Sequence, residues 1–279
     1  MCPLTDRIRT AFVTGASAGL GRAFTDMLLQ EGVQVWGTAR DASRLNDYAG
    51  HAAFHPVVLE LGDGGATESA YEAAQTEAGG FDLVINNAGY GVFAPFVEEP
   101  FTTWERQIAV MLVQPMRLAQ LALRHFRERK GGTLVNVASL AVEFPLPYMS
   151  GYNVVKAGLA ALSESLLIET AGTGITVVDF RPGDYRTAFN RTMSHTSTWS
   201  PATHGSASLQ AIWQTLEANL AAAPEPQRAA RDLRRVLARG QRGIVRSGSL
   251  FQAGVAPVCA AWLPQALRRA VHWRYFNVR

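Results

Sequence analysis

Thr10-Ala11-Phe12-Val13-Thr14-Gly15-Ala16-Ser17-Ala18-Gly19-Leu20-Gly21 is the stretch on which the fold turns. Thr10–Thr14 reads as a short buried strand, and the helical pattern Leu20–Gln30 begins almost at once after it. Between them, glycines at 15, 19 and 21 permit a tight turn and a close approach of backbone to a ligand. The helix N-terminus adds unbonded N–H groups and a positive dipole end. A strand, a glycine turn and a helix in that order suit the pyrophosphate of a dinucleotide. The spacing is G-x-x-x-G-x-G rather than G-x-G-x-x-G, so the turn alone leaves its ligand open.

Working outward, apolar runs alternate with longer amphipathic stretches over the first 180 residues. Val33–Thr38, Val57–Leu61, Leu83–Asn86, Thr133–Val137 and Ile175–Phe180 read as further strands. Ala66–Glu77, Trp104–Glu128 and Tyr152–Thr170 read as helices. Near-continuous apolar strands separated by helices predict an α/β fold: a doubly wound, mostly parallel Rossmann-like sheet with helices on both faces. In such a sheet, ligands sit beyond the carboxyl ends of the strands. No internal repeat or long linker divides the chain, so one domain is expected over 1–279. It comprises a core over 8–187, a substrate-covering lid over 188–223, and a basic, aromatic-containing segment over 224–279. After Arg181 a polar loop, Asn190–Pro201, precedes helical stretches around Ser206–Ala222 and Gln227–Arg239, then a short strand at Gly243–Arg246.

The composition narrows the class. With 48% hydrophobic and 18% charged residues, the balance is that of a globular protein. No apolar run approaches the ~18 residues of a membrane span. Cys2 and Cys259 lie near opposite ends and show no metal-ligand spacing, so neither a metal site nor a disulfide framework is expected. Met1–Arg9 lacks the apolar core of a leader, which predicts a cytoplasmic setting. The six histidines, His51, His55, His125, His195, His204 and His272, share no catalytic spacing and are assigned no role. From Pro224 onward, eleven arginines face only Glu225 and Asp232, a local +9 in a chain of net +3. No aromatic-basic recognition module accompanies them, so nucleic acid is not an expected partner.

Three further segments follow the glycine turn in order. Asn86-Asn87-Ala88-Gly89 ends the fourth strand. Ser139 stands thirteen residues before Tyr152-Asn153-Val154-Val155-Lys156. Pro182-Gly183 precedes Thr187 by four residues. With Thr14–Gly21, these segments resemble the short-chain dehydrogenase/reductase family in its T-G-x-x-x-G-x-G, N-N-A-G and Y-x-x-x-K motifs and its P-G closing segment, over residues 8–190. The resemblance implies a nicotinamide cofactor held by Gly15, Ser17, Gly19, Leu20, Gly21, Glu60, Leu61, Asn87, Ala88, Gly89, Tyr152, Lys156, Pro182, Gly183 and Thr187. It implies that Tyr152 protonates a carbonyl oxygen as hydride arrives, that Lys156 holds ribose hydroxyls and tunes Tyr152, and that Ser139 hydrogen-bonds the substrate oxygen. It also implies a homodimer or homotetramer formed through the two long helices.

The residues themselves add detail. Tyr152 and Lys156 are four apart on a helix and share a face, where an ammonium is expected to lower a phenol pKa of ~10. The chain's basic residues are arginines apart from Lys130 and Lys156, so lysine at 156 marks a need for a compact cation that exchanges protons. Members that use NAD carry an acidic residue where Ala39 stands. Here Arg40 follows instead, shaped to grip a 2′-phosphate, with Arg44 in support. NADP(H) is therefore expected over NAD(H). One departure stands out: Met111 occupies the place of the family's relay asparagine, and methionine offers only a weak acceptor. Gln107 and Gln114 are the nearby amides, and Val154 and Val155 are bulkier than usual.

On the substrate side, Phe189, Met193, Trp199, Leu209, Ile212 and Trp213, with Phe144-Pro145-Leu146-Pro147-Tyr148, predict an apolar lining. A hydrophobic ketone, aldehyde or alcohol is the expected substrate, and a carbonyl reductase the expected activity. The alternative is an NADP(H)-binding protein with weak or lost catalysis, acting as a sensor or scaffold. The tail Leu250–Arg279 mixes aromatics with arginines, a composition that suits peripheral membrane contact, a subunit interface or a core-packed helix.

Overall fold

The computed structural model describes residues 4–189, Met193 and residues 207–276. Seven strands form one wholly parallel sheet in the order β3-β2-β1-β4-β5-β6-β7. They are β1 (Thr10–Val13), β2 (Gln34–Ala39), β3 (Phe54–Val58), β4 (Leu83–Asn86), β5 (Gly132–Val137), β6 (Ile175–Pro182) and β7 (Gly243–Ser247). The helices are α1 (Gly19–Gln30), α2 (Gly64–Ala78), α3 (Phe101–Ile108), α4 (Gln114–Arg129), α5 (Ser150–Glu169), α6 (Ala207–Ala222), α7 (Pro226–Arg239), α8 (Ala256–Trp262) and α9 (Gln265–Tyr275). Strand order reverses between β1 and β4, which opens a crevice at their carboxyl ends.

Two apolar layers sandwich the sheet. On one face Phe24 and Leu28 of α1 and Leu233 and Val236 of α7 cover Val13, Ile85 and Phe180. On the other, Tyr71, Leu118 and Phe126 cover Phe12, Val84 and Val177. The side chains of β1, β4 and β5 are almost wholly buried, which accounts for their continuous apolar sequence. The sheet edge at β3 admits Pro56, whose missing N–H costs no ladder bond there.

Two expected boundaries need correction. The strand expected at Val57–Leu61 is Phe54–Val58, because pairing with β2 sets the register Val35↔Phe54 and the chain turns away after Val58. The single helix expected over Trp104–Glu128 is broken by a π-helical turn, Ala109–Val113, between α3 and α4. The Gln114 N–H bonds Ala109 O, five residues back. Pro115 follows without an N–H to offer, so ordinary four-residue bonding cannot pass this point. Within the segment beginning at 224, α7 covers α1 and β7 pairs with β6 in parallel. The polar loop expected at Asn190–Pro201 lies, apart from Met193, outside the described residues.

Arg234 of α7 holds Glu31, at the end of α1, through a 2.7 Å ion pair that pulls the Glu31 carboxyl below its usual range. Glu31→Gln should cost about 0.5–1 kcal/mol at neutral pH, since partial exposure screens the pair. A depressed carboxylate stabilises the fold above its unfolded pKa and loses that contribution as pH falls through its folded one. Urea titrations should therefore separate the variant from the parent at pH 7 and bring them together in acid.

Candidate active site

The glycine turn is built by its neighbours. Thr14 Oγ1 donates to Ile85 O and accepts from the N–H groups of Asn87 (2.9 Å) and Ala88 (3.0 Å), which ties the β1 turn to the β4 turn. Gly15 N–H donates to Thr38 Oγ1 at 3.1 Å, bringing in β2. Gly15 has φ +71°, and at Gly21 a Cβ would collide with the Gly15 carbonyl and the Asn87 side chain. These two positions require glycine. Helix α1 then starts at Ala18, which gives its first turn no side-chain cap, and Gly19 and Leu20 border a cavity of about 1710 Å³. The unbonded N–H groups of that turn are the donor set that a pyrophosphate needs.

The same cavity takes its wall from nearly every residue singled out in the sequence. Gly15, Ser17, Gly19, Leu20, Arg40, Glu60, Leu61, Asn87, Ala88, Gly89, Ser139, Tyr152, Lys156, Pro182, Gly183 and Thr187 all line it. Gly21 does not; it underlies the turn. Arg40 is exposed at one end, with Arg44 beside the same space. The only carboxylate next to Arg40 in sequence, Asp41, is occupied in accepting from Ser43 N–H at 2.9 Å. Glu60, an expected cofactor contact, pairs with Arg106 at 3.2 Å. The size of the cavity, the uncapped helix start and this arginine-rich end fit a nicotinamide dinucleotide. Arg106 had escaped notice because it belongs to no motif and reaches the site only through the placement of α3.

Midway along the cavity stand Ser139, Tyr152 and Lys156. Ser139 ends the loop after β5 and accepts from Ala141 N–H at 3.1 Å; its hydroxyl also hydrogen-bonds the Tyr152 phenol. Lys156 is buried, donates to Val137 O at 2.6 Å, and lies 5.7 Å from the centre of the Tyr152 ring. Phe189 meets the Tyr152 ring edge-on at 5.6 Å. Burial dominates the proton affinities. It pushes the Tyr152 phenol up to about 12, against the Ser139 bond, and the Lys156 ammonium down to about 8, against the field of Asp179. The expectation of a lowered phenol pKa is thus not met: desolvation of the charged form dominates, and the Asp184 carboxyl adds to it.

Met111 sits in the π-turn, buried, with its Sδ accepting from Tyr90 N–H at 3.3 Å. Neither nearby amide replaces an asparagine at the wall. Gln107 donates to Tyr90 O at 3.1 Å, and the Oε1 atoms of both Gln107 and Gln114 are buried without a hydrogen-bond partner. The sequence also gave no weight to Asp184, which directly follows Pro182-Gly183. Its carboxyl lies in the wall, accepts from Gln252 Nε2 at 2.7 Å and is raised by burial.

The substrate end is apolar, with Phe144, Leu146, Met149, Phe189, Met193 and Leu216 in the wall. Leu209, Ile212 and Trp213 instead belong to a packed cluster with Val92, Phe93 and Trp104, so they hold the lid down rather than face the cavity. Trp199 lies outside the described residues. The wall is completed from the tail, by Phe251, Leu263, Tyr275 and Phe276. Among the described residues no cluster of histidine, cysteine and carboxylate groups could hold a metal ion.

Comparison with known proteins agrees with this geometry. A family model described as short chain dehydrogenase matches residues 9–198. The chain is 32% identical over 190 residues to 3beta-hydroxysteroid dehydrogenase 1 of Eggerthella lenta, covering 65% of this chain and 72% of that one. It is 32% identical over 189 residues to 3-oxoacyl-[acyl-carrier-protein] reductase of Salmonella typhimurium, covering 67% and 77%. The crystal structure of a short-chain dehydrogenase from Streptomyces avermitilis superposes with a TM-score of 0.77 at 25% identity, over 96% of this chain and 97% of that one.

Proposed function

We propose, for a chain that belongs to the short-chain dehydrogenase family, the NADPH-dependent reduction of a hydrophobic ketone or aldehyde to its alcohol. Membership makes it an NAD(P)-dependent oxidoreductase acting on the CH–OH group of its donors. The phosphate-bearing nucleotide and the lipophilic substrate are our reading. The observation that carries it is the convergence of Ser139, Tyr152 and Lys156 on one wall, between an arginine-rich end and an apolar end. The two relatives named above take a hydroxysteroid and a 3-oxoacyl group, each a carbonyl or alcohol on an apolar skeleton.

A bound nicotinamide supplies the hydride; the protein's part is to place and protonate. Ser139 Oγ hydrogen-bonds the carbonyl oxygen and stabilises the charge that develops there. Tyr152, held as a phenol by burial, hands that oxygen its proton. Lys156, anchored on Val137 O, keeps further N–H donors for ribose hydroxyls and presents positive charge to the phenolate left behind. The outward faces of α4 and α5, with Met116, Val154 and Ile168 exposed, are where two copies would meet as a homo-oligomer.

The pH dependence follows in sign. Reduction needs a protonated Tyr152 and a charged Lys156, and rising pH removes both protons. The kcat/KM for carbonyl reduction should be level below about pH 8 and fall above it as Lys156 neutralises. A fall toward acid instead would overturn these roles.

Met111 favours a second reading, a nucleotide-binding protein without turnover, since its thioether cannot donate a proton to a relay. Following NADPH absorbance against a panel of lipophilic ketones and aldehydes separates the two. Turnover supports the enzyme; tight nucleotide binding with no turnover on any member supports the sensor.

A further inference from the structure

The described side chains of helix α9 are exposed, and its two sides differ in an unusual way. At 100° per residue, Ala266, Leu267, Ala270 and Trp273 fall on one side together with Arg274, with Gln265, Arg268 and Arg269 opposite. The arginine side faces the cavity, where Gln265, Arg268 and Arg269 line the wall. The apolar side faces outward, with Leu267 49% and Trp273 57% exposed. Helix α8 continues the pattern. Val255 just before it, and Val258 and Trp262 within it, follow at spacings of three and four residues, and all are exposed, Trp262 at 86%. A helix at the surface of a soluble body normally turns its apolar side inward. This pair does the reverse.

We propose that the outer face of α8 and α9 seats the protein on an anionic phospholipid bilayer. Charge chooses this occupant over a second copy of the chain. Over residues 233–279 there are nine arginines and no acidic side chain. Among the described residues, Arg268, Arg269 and Arg274 enter no ion pair. A symmetric dimer through this face would set Arg274, the arginine that lies on it, against its own copy, whereas an anionic surface neutralises it. Exposed tryptophans with flanking arginines suit the headgroup boundary, where an amphipathic helix lies in the plane. No helix of the described residues is long and apolar enough to cross a membrane, so the contact is peripheral.

The position of the face gives it a use. Leu263, Tyr275 and Phe276 of this tail border the substrate end of the cavity, so docking through α8 and α9 brings that end close to the lipid surface. A lipophilic carbonyl compound dissolved in the bilayer then reaches Tyr152 without crossing water. This consequence rests on the proposed reaction; the docking itself does not.

The test uses the full chain with no nucleotide or substrate, so it is read independently of catalysis. Sedimentation with phosphatidylglycerol–phosphatidylcholine vesicles should carry the protein down and shift its tryptophan emission to the blue. Vesicles of phosphatidylcholine alone should bind at least about tenfold more weakly, and ~0.5 M NaCl should release the bound protein. The variant W262S/L267S/W273S, whose three side chains do not line the cavity, should lose vesicle binding. Its melting temperature and its NADPH consumption with a small water-soluble aldehyde should stay unchanged. If the triple variant fails to fold, Trp273→Ser alone should reduce both binding and the emission shift. Equal binding to both vesicle types, no binding to either, or retained binding by the folded variants would overturn the proposal. So would a dimer that these substitutions dissociate, since the face would then be a contact between copies.

Discussion

Tyr152→Phe is expected to lower carbonyl reduction by about 10²–10⁴-fold while NADPH binds as before. The substitution removes one oxygen and leaves the ring, so the edge-on contact with Phe189 survives and the fold has no reason to change. What is lost is the proton delivered to the substrate oxygen, and Ser139 alone then stabilises an alkoxide that nothing nearby protonates. Lys156 cannot stand in for the phenol. Its ammonium is fixed on Val137 O and approaches the ring of Tyr152 rather than the space beyond the hydroxyl. Following NADPH absorbance with the most active ketone or aldehyde, alongside a nucleotide titration, checks both halves. Undiminished turnover would remove Tyr152 from the chemistry.

Arg40→Ala should raise the KM for NADPH by about 10–100-fold and leave that for NADH nearly unchanged. A hydrogen-bonded charge pair contributes about 1.5–3 kcal/mol, which sets that range. Arg44 borders the same space, so part of the attraction survives and the upper end of the range is a ceiling. Asp41 does not offset the loss, since its carboxylate caps the turn at Ser43. Steady-state kinetics with both nucleotides decide the matter. Equal losses for the two would place Arg40 away from the phosphate.

Much of the site was legible because its parts are local. Thr14–Gly21 forms a turn whose conformation its own glycines dictate, and Tyr152 and Lys156 share a face through helical spacing alone. Strand boundaries were less legible. Residues 59–61 look like strand but lie past the point where pairing with β2 ends, and the register belongs to the partner as much as to the strand. The π-turn at Ala109–Val113 had a visible cause in Pro115, yet its apolar periodicity reads as one unbroken helix. Asp184 and Gln252 are 68 residues apart, and no pattern in either neighbourhood announces their 2.7 Å bond.

By itself, the sequence determined a parallel α/β sheet, a dinucleotide turn at the end of its first strand, and a tyrosine, a lysine and a serine set to meet beyond the strand ends. The sheet and the shared face of the tyrosine and lysine follow from short-range periodicity, while the ligand of the turn and the place of the serine follow from the family resemblance. Only the tertiary structure decided that α7 and β7 complete the core, that Leu209 and Ile212 hold the lid instead of lining the cavity, and that Arg268 and Arg269 border the cavity. It also decided the ionisation of the reacting pair. Burial is a property of everything packed around a side chain, and here desolvation of the charged form sets the direction for both groups.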